Sequence, residues 1–172
     1  MDFAVFLIRI ILYITPLYLA NSTAMIFGGG LPIDLNKRFI DGRPIFGRGK
    51  TFRGAFVGIL IGSITALIIY LLFPFYAEKI TSNYLLLGFL LALGAIIGDI
   101  IASFFKRRNN IPQGTEVLFL DQLDFVIGSM IIGSFVYIPS FYEVVIICIT
   151  TLIIHKLSNY IAFKIKLKKV PW

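Results

Sequence analysis

The segment GDIIASFFKRRNNIPQGTEVLFLDQLD, residues 98–124, joins two strongly apolar runs and decides how the whole chain is interpreted. Asp99 stands near the end of the first run, and Asp121 and Asp124 stand where the second run begins. Ionisable groups at membrane depth are costly and usually face a cavity, a partner or an ion. Three carboxylates around one short joint therefore predict a functional site at one end of a membrane bundle.

The composition indicates an integral membrane protein. Of the 172 residues, 58% are hydrophobic and 15% are charged, and the mean hydropathy is +0.91. A soluble domain is nearer half apolar and about a quarter charged. The net charge of +7 would suit nucleic acid only if a soluble basic face existed. We therefore expect no nucleic-acid partner, and positive charge that faces the lipid bilayer or phosphorylated substrates.

Five apolar segments are long enough to cross a bilayer, which takes about 20 residues. They are residues 3–24, 54–73, 84–105, 117–137 and 141–161. The polar section 28–53 predicts a long loop that holds one short interfacial helix near residues 34–40. The predicted fold class is an all-α integral membrane protein of five transmembrane helices. The long loop is cytoplasmic and joins helices 1 and 2, and residues 1–172 form a single transmembrane catalytic domain.

The basic residues predict the orientation in the cell membrane. Lys and Arg cluster in the 28–53 loop, in the 106–116 joint and in the C-terminal tail, which leaves Arg9 and Lys79 for the opposite side. Basic loops of membrane proteins stay in the cytoplasm. We therefore expect a multi-pass protein whose N-terminus is outside and whose C-terminus and active site are cytoplasmic.

Glycines recur on two of the predicted helices. Gly54, Gly58 and Gly62 lie four residues apart on the second helix, and Gly94 and Gly98 do so on the third. Small residues at this spacing let helix backbones approach closely. The stripe on the second helix could pack within the chain or between two copies in a homodimer, and we favour packing within the chain.

The polar residues around the joint share helix faces. Asp99, Ser103 and Lys106 fall at i, i+4 and i+7 on one helix, and Asp121 and Asp124 fall at i and i+3 on the next. A short joint makes these helices antiparallel neighbours. The three carboxylates can therefore converge near the cytoplasmic surface.

Two interpretations of these carboxylates are open. Asp99 could form an ion pair with Lys106 or Arg107 while Asp121 and Asp124 stabilise a helix N-terminus. Alternatively the carboxylates bind a cation, and oxygen ligands select hard ions such as Mg²⁺. Adjacent Lys and Arg side chains suit phosphates. The second interpretation implies phosphoryl or nucleotidyl transfer at the membrane surface.

Other catalytic schemes find little material in the sequence. His155 is the one histidine, which argues against a zinc site or a Ser-His-Asp triad. Gly49, Lys50 and Thr51 match the end of a P-loop, but the first glycine of that motif would fall at Pro44.

A pattern in the joint resembles the phosphatidate cytidylyltransferase superfamily. The signature G-D-x-x-x-S-x-x-K-R with two later aspartates is met by Gly98, Asp99, Ser103, Lys106, Arg107, Asp121 and Asp124. Bacterial and eukaryotic members carry a Gly-His-Gly-Gly element before the paired aspartates, and they have more helices. Here residues 112–114 read Pro-Gln-Gly. That departure, the small size and the 32–54 segment make nearly the whole chain resemble the archaeal branch.

The resemblance implies a reaction and a set of site residues. The reaction is transfer of CMP from CTP to a membrane lipid phosphate, 2,3-bis-O-geranylgeranylglycerol 1-phosphate, which gives the CDP-activated lipid and pyrophosphate. Asp99, Asp121 and Asp124 would hold Mg²⁺, with Lys106 as a further catalytic residue. The expected substrate-binding residues are Asn21, Lys50, Thr51, Arg53, Ser103, Arg107 and Arg108.

Other functions remain open at this point. A CTP-dependent membrane lipid kinase would use similar parts and differ in which phosphorus is attacked. A divalent-cation transporter would need a polar path through both leaflets, and the outer halves of these helices offer almost none. A non-catalytic scaffold would not need the carboxylate cluster.

Overall fold

The computed structural model describes residues 3–164, which form helices and connecting turns without a β-strand. The helices are α1 (Phe3–Ile26), α2 (Phe52–Leu72), α3 (Pro74–Glu78), α4 (Tyr84–Arg108), α5 (Leu120–Gly133) and α6 (Phe141–Lys164). By length and apolar composition, α1, α2 and α4 are able to cross a membrane. The all-helical membrane class predicted from the sequence is confirmed, and most of the basic C-terminal tail lies outside the described residues.

The helix bounds follow the apolar runs except at α5. Helices α1, α2 and α4 match the predicted spans to within a few residues. Helix α5 covers 14 residues where a span over 117–137 was expected. Fourteen residues rise about 21 Å, which is less than the roughly 30 Å of hydrocarbon. Phe119 takes a positive φ of 66° just before α5, and turns follow the C-terminal end of α5. Both ends of the apolar run therefore lie outside the helix.

The prediction of a short interfacial helix near residues 34–40 is wrong. Turns replace it, because Leu35 and Asn36 adopt positive φ angles of 51° and 59°, which interrupt a right-handed helix. The Asp34 carboxylate instead accepts hydrogen bonds from the backbone amides of Asn36, Phe46 and Gly47 at 3.0, 3.0 and 2.9 Å. Burial alone would raise the pKa of Asp34, but these bonds outweigh burial and lower it. Asp34 therefore ties the two arms of the loop together.

The glycines predicted to let helices approach do so inside the chain. A Cβ at Gly62 on α2 would lie 2.9 Å from the Pro16 carbonyl oxygen of α1 and 2.5 Å from Ala92 of α4. A Cβ at Gly98 on α4 would lie 2.2 Å from the Asp124 carbonyl oxygen of α5. Neither glycine has room for a side chain, so packing within the chain uses the stripe that could have served a homodimer. The core between these helices includes Leu17, Leu87, Leu91, Phe125, Val126 and Ile147.

One face of α2 is not covered by any other described part of the chain. It presents large apolar side chains at Phe56, Leu60, Ile64, Leu67, Ile68, Leu71 and Leu72. In water such a face would be costly, whereas lipid tails cover it without penalty. The fold thus positions α2 against lipid and turns α4 and α5 toward the interior.

Candidate active site

A cavity of about 550 Å³ opens where the ends of α1, α4 and the start of α5 meet the 27–51 loop. Side chains from every one of these parts and from α6 reach it. The polar and charged members of its lining are Tyr18, Asn21, Ser22, Arg48, Lys50, Thr51, Asp99, Asp121 and His155. Residues far apart in sequence therefore share one polar chamber at the end of an apolar bundle.

Asp99 forms an ion pair with Lys50 of the loop. The Lys50 ammonium lies 2.6 Å from both carboxylate oxygens of Asp99. About a quarter of each side chain is exposed, and both side chains border the cavity. The sequence predicted an ion pair of Asp99 with Lys106 or Arg107 as the alternative to a cation site, so the observed partner is a different one.

Asp121 forms a second ion pair, with Lys106 at the end of α4. The Lys106 ammonium lies 2.9 and 2.6 Å from the two Asp121 oxygens and donates to the Thr115 carbonyl at 2.5 Å. Asp121 also accepts from the backbone amide of Val117 at 3.0 Å. Lys106 is 9% exposed, so its charge is compensated by these partners rather than by water. The pair links α4 to the start of α5.

Asp124 lies one turn further along α5, against α4. Its backbone contacts Gly98, the neighbour of Asp99, and its carboxylate interacts electrostatically with Asp99, Lys50 and Asp121. The Asp124 side chain accepts a hydrogen bond from the amide of Phe125 at 2.6 Å. The three predicted aspartates therefore occupy one neighbourhood, with Asp99 and Asp121 on the cavity wall and Asp124 outside the described lining.

The donor set suits a hard cation in its chemistry. Three carboxylates supply only oxygen ligands, which magnesium prefers. In residues 3–164, however, no three His, Cys, Asp or Glu side chains are grouped as a metal would require. The Lys50 and Lys106 ammonium groups instead neutralise Asp99 and Asp121. The residues fit Mg²⁺ in kind, and binding it would require these lysines to change partners.

The predicted substrate-binding residues divide into two groups. Asn21, Lys50 and Thr51 line the cavity, and Thr51 also caps α2 by accepting a hydrogen bond from the Gly54 amide at 3.1 Å. The described lining does not include Arg53, Ser103, Arg107, Arg108 or Lys106. The roles of Arg53, Ser103, Arg107 and Arg108 as substrate contacts, and of Lys106 as a catalytic residue, stay predictions.

Two of the arginines outside the lining fasten the loop. Arg53 donates to the carbonyls of Phe27 and Gly28, which holds the end of α1 beside the start of α2. Arg108 donates to Asp41 at 2.6 Å and to the Pro44 carbonyl, and its guanidinium stacks on Phe39 and Phe104 at 4.7 and 4.9 Å from the ring centroids. Both side chains thus shape the site from outside.

His155 is a cavity residue that the sequence analysis did not select. It lines the cavity from α6 together with Ile154. Ile147 and Thr151 precede it at four-residue spacing, and both are fully buried. Thr151 also accepts a hydrogen bond from Tyr18 at 2.8 Å, which turns this face toward α1. The i, i+4 and i+8 spacing was the available signal that His155 faces inward.

The fold and the site define an intramembrane enzyme whose polar chamber is built from lysine-neutralised aspartates. A family model described as CarS-like CDP-archaeol synthase matches residues 3–172, and the chain belongs to that CDP-archaeol synthase family. CDP-archaeol synthase of Methanocaldococcus jannaschii is 46% identical over 169 residues, covering 93% of this chain and 94% of the relative. The Pyrococcus abyssi CDP-archaeol synthase is 45% identical over 166 residues, covering 93% and 95%.

A solved structure supports the same assignment. It is described as an intramembrane enzyme for archaeal membrane lipids biosynthesis, and it superimposes with a TM-score of 0.78 at 31% identity. The match covers 87% of this chain and 91% of that chain. The resemblance to the archaeal cytidylyltransferases is thus confirmed, and these findings give no support to the lipid kinase or the cation transporter.

Proposed function

We propose that the chain transfers CMP from CTP to 2,3-bis-O-geranylgeranylglycerol 1-phosphate, giving CDP-archaeol and pyrophosphate. The observation that carries the proposal is the 550 Å³ chamber at the end of the membrane helices, which is lined by Lys50 paired with Asp99 and by Asp121, the partner of Lys106. Membership of the CDP-archaeol synthase family supports the same reaction. A chamber of this kind gives a charged nucleotide and a lipid headgroup a common meeting point.

The chemistry asks little of a general base. A phosphate monoester is largely dianionic at pH 7, since its second pKa is about 6. A lipid phosphate oxygen attacks the α-phosphorus of CTP, a new P–O bond forms, and the bond from the α-phosphorus to the bridging oxygen breaks. Pyrophosphate leaves with that electron pair. The residues need only align the two phosphates and compensate their charge, which is the usual demand of phosphoryl and nucleotidyl transfer.

Lys50 and Lys106 are the cations placed for that compensation. Both side chains are mostly buried and already paired with carboxylates, so their conformations are restricted and little side-chain entropy would be lost on binding a phosphate. Asp99, Asp121 and Asp124 would hold Mg²⁺, which would stabilise charge on the attacking and leaving oxygens. With Mg²⁺ held by the aspartates, Lys50 and Lys106 would be free to bind the substrate phosphates. The proposed enzyme is therefore magnesium-dependent.

The proposed topology has five spans with the N-terminus outside. It would place the chamber and the 27–51 loop on the cytoplasmic side, where CTP is present. Labelling single cysteines placed at Asn110 and Ser140, in a background with Cys148 replaced, tests it in intact cells. A cysteine at Asn110 should stay protected from an impermeant reagent while one at Ser140 reacts. A protected Ser140 position would contradict the orientation.

Product analysis with purified protein decides the reaction. CTP labelled at the α-phosphorus should transfer its label to the lipid, with unlabelled pyrophosphate released. CTP labelled at the γ-phosphorus should leave the lipid unlabelled. Label in the lipid from the γ-position, with CDP as coproduct, would instead identify a kinase. Supplying archaeal ether-lipid and diacyl phosphates in parallel measures lipid selectivity.

A further inference from the structure

A separate cavity of about 530 Å³ lies between the 27–51 loop and the joint that follows α4. Four arginines line it: Arg38, Arg43, Arg48 and Arg107. Three come from the loop and the fourth comes from the last turn of α4. A cavity with four guanidinium groups is a strong concentration of positive charge in a chain of this size.

The positive charge of this cavity is not neutralised by protein carboxylates. Within residues 3–164, none of the four arginines forms an ion pair. Asp34 is the carboxylate in the described lining, and its two oxygens already accept the amides of Asn36, Phe46 and Gly47. The carboxylate therefore organises the loop and is poorly placed to bind a guanidinium.

Arg107 gives independent evidence of an absent partner. It is 9% exposed, and its Nε is buried without a hydrogen-bond partner among the described residues. Its one hydrogen bond goes to the Pro112 carbonyl at 3.3 Å, which is long for a charged donor. Leaving a charged donor unpaired in a buried place is costly. A ligand with several anionic oxygens would satisfy it.

The position of Arg48 joins this cavity to the active-site chamber. Arg48 lines both, while Gly47 lines the arginine cavity and Lys50 lines the chamber. The 47–50 turn is thus the wall between them, and the Gln113 amide lies against it. A ligand released from the chamber would meet the arginines directly across this turn.

We propose that the arginine cavity binds a pyrophosphate-class anion, namely the product that leaves the chamber. This assignment of the ligand rests on the proposed function. Guanidinium forks bind phosphate oxygens in pairs, and several of them suit a multiply charged chain of phosphates better than a single monoester. The phosphate headgroup of a membrane lipid offers related chemistry, and Pro44, Ile111 and Pro112 are the large apolar residues of the described lining. A measurement in nanodiscs, given below, separates the two ligands.

Direct binding tests the site without turnover. Sodium pyrophosphate is titrated calorimetrically into the purified full-length protein, in neutral detergent at low ionic strength and without CTP, lipid phosphate or magnesium. Arg38→Gln and Arg48→Gln should each raise the dissociation constant for pyrophosphate tenfold or more. Lys37→Gln is the matched control, because it removes one charge from the same loop outside the cavity lining. It should bind like the unaltered protein.

Three further arms make the outcome decisive. Lys50→Ala alters the chamber and should leave pyrophosphate binding unchanged. Loss of binding in Lys50→Ala, with none in Arg48→Gln, would place pyrophosphate in the chamber and overturn the proposal. A loss in Lys37→Gln equal to that in the arginine variants would overturn it too, because any charge of the loop would then suffice. Arg38→Lys keeps the positive charge but loses the guanidinium fork. Its affinity for pyrophosphate should lie between those of the unaltered protein and Arg38→Gln. The third arm repeats the pyrophosphate titration in nanodiscs of anionic or of neutral lipid. If pyrophosphate binds in neutral lipid but not in anionic lipid, the cavity binds a lipid headgroup instead. Each result stands whether or not the protein makes CDP-archaeol.

Discussion

The two ends of the helix bundle each carry buried ion pairs, but they are built differently. We call Arg9, Tyr137, Ser140 and Glu143 the closed cluster, and Lys50, Asp99, Lys106 and Asp121 the open cluster. In the closed cluster Glu143 accepts from the Tyr137 hydroxyl and from the Ser140 amide and hydroxyl, and Arg9 lies 3.4 Å away. The space beside it has no room for a water molecule.

The open cluster borders empty volume instead. Asp99, Asp121 and Lys50 face the chamber of about 550 Å³, and their ion pairs join segments that a substrate could separate. A carboxylate with its oxygens fully engaged and no adjacent space can only contribute to folding. A carboxylate beside a cavity can exchange a lysine for a metal or release that lysine to a phosphate. Adjacent space, more than burial or charge, distinguishes the open cluster from the closed one.

The strongest test of this difference replaces the two open-cluster aspartates and the neighbouring Asp124. Asp99→Asn, Asp121→Asn and Asp124→Asn each keep the shape and remove a charge. Turnover should fall by about a hundredfold to a thousandfold, as when a group that stabilises transition-state charge is removed. The magnesium dependence should shift, and pairs of substitutions should be far from additive. Steady-state assays across a magnesium titration measure this.

Asp41→Asn supplies the control for these variants. Asp41 pairs with Arg108 at 2.6 Å but does not line the chamber, so its replacement should change turnover by no more than about twofold. Melting curves of all variants check folding. Near-native turnover with unshifted metal dependence in both Asp121→Asn and Asp124→Asn would contradict the catalytic interpretation.

Lys50→Ala is expected to have the next largest effect. It removes the cation paired with Asp99 and one candidate ligand for the CTP phosphates, so the KM for CTP should rise by about tenfold or more. Lys37→Ala, in the same loop, should leave the KM unchanged. Unaltered kinetics in Lys50→Ala would make the loop a solvated basic anchor, and the pair with Asp99 would then resemble the closed cluster.

The contrast between the clusters also marks what the sequence could predict. Apolar runs predicted α1, α2 and α4 because span length is a local property. The Gly94 and Gly98 spacing predicted a close approach to another helix, and the structure shows that this helix is α5. The partner of Asp99 could not be predicted, since Lys50 is 49 residues away and reaches it only through the folded loop. Helical periodicity offers only near neighbours, which is why Lys106 and Arg107 were the candidate partners under the ion-pair interpretation.

The loop shape was beyond local reasoning for a similar reason. Residues 34–40 contain apolar and charged residues at spacings that a helix could use. Their turns depend on Asp34 meeting the amides of Phe46 and Gly47, which is a tertiary contact. The inward position of His155, by contrast, was available from its spacing to Thr151 and was not recognised.

Asp34→Asn should have a smaller effect on turnover than either open-cluster change. An amide offers one acceptor oxygen where the carboxylate uses two, so the 34–47 contact loosens and the KM for CTP should rise severalfold. The pKa of Asp34 is lowered in the folded protein, so its stabilisation is present above its ordinary pKa and is lost as the pH falls through the folded value.

Hydrogen exchange measures that pH dependence. In the unaltered protein, protection of the Phe46 and Gly47 amides, corrected for intrinsic rates, should persist from neutral pH and fall only below about pH 4, the ordinary pKa of an aspartate. Asp34→Asn should show reduced protection that does not change over this range. Equal protection in both proteins at pH 7 would show that other contacts hold the loop.

The closed cluster should give the smallest effect on turnover and a clear effect on stability. Glu143→Gln removes the carboxylate that neutralises the partly buried Arg9 guanidinium, and breaking such a pair costs about 3 kcal/mol of folding free energy. Because the cluster lies at the opposite end of the bundle from the chamber, turnover per folded molecule should stay near that of the unaltered protein. The double variant Arg9→Met with Glu143→Gln removes both charges and should recover part of the lost stability, so the two changes should not add.

Thermal unfolding in a fixed detergent gives the stabilities, and CTP turnover on the same samples gives the activity. A large fall in turnover with unchanged melting would place a functional site at this end as well, and adjacent space would no longer distinguish the two clusters.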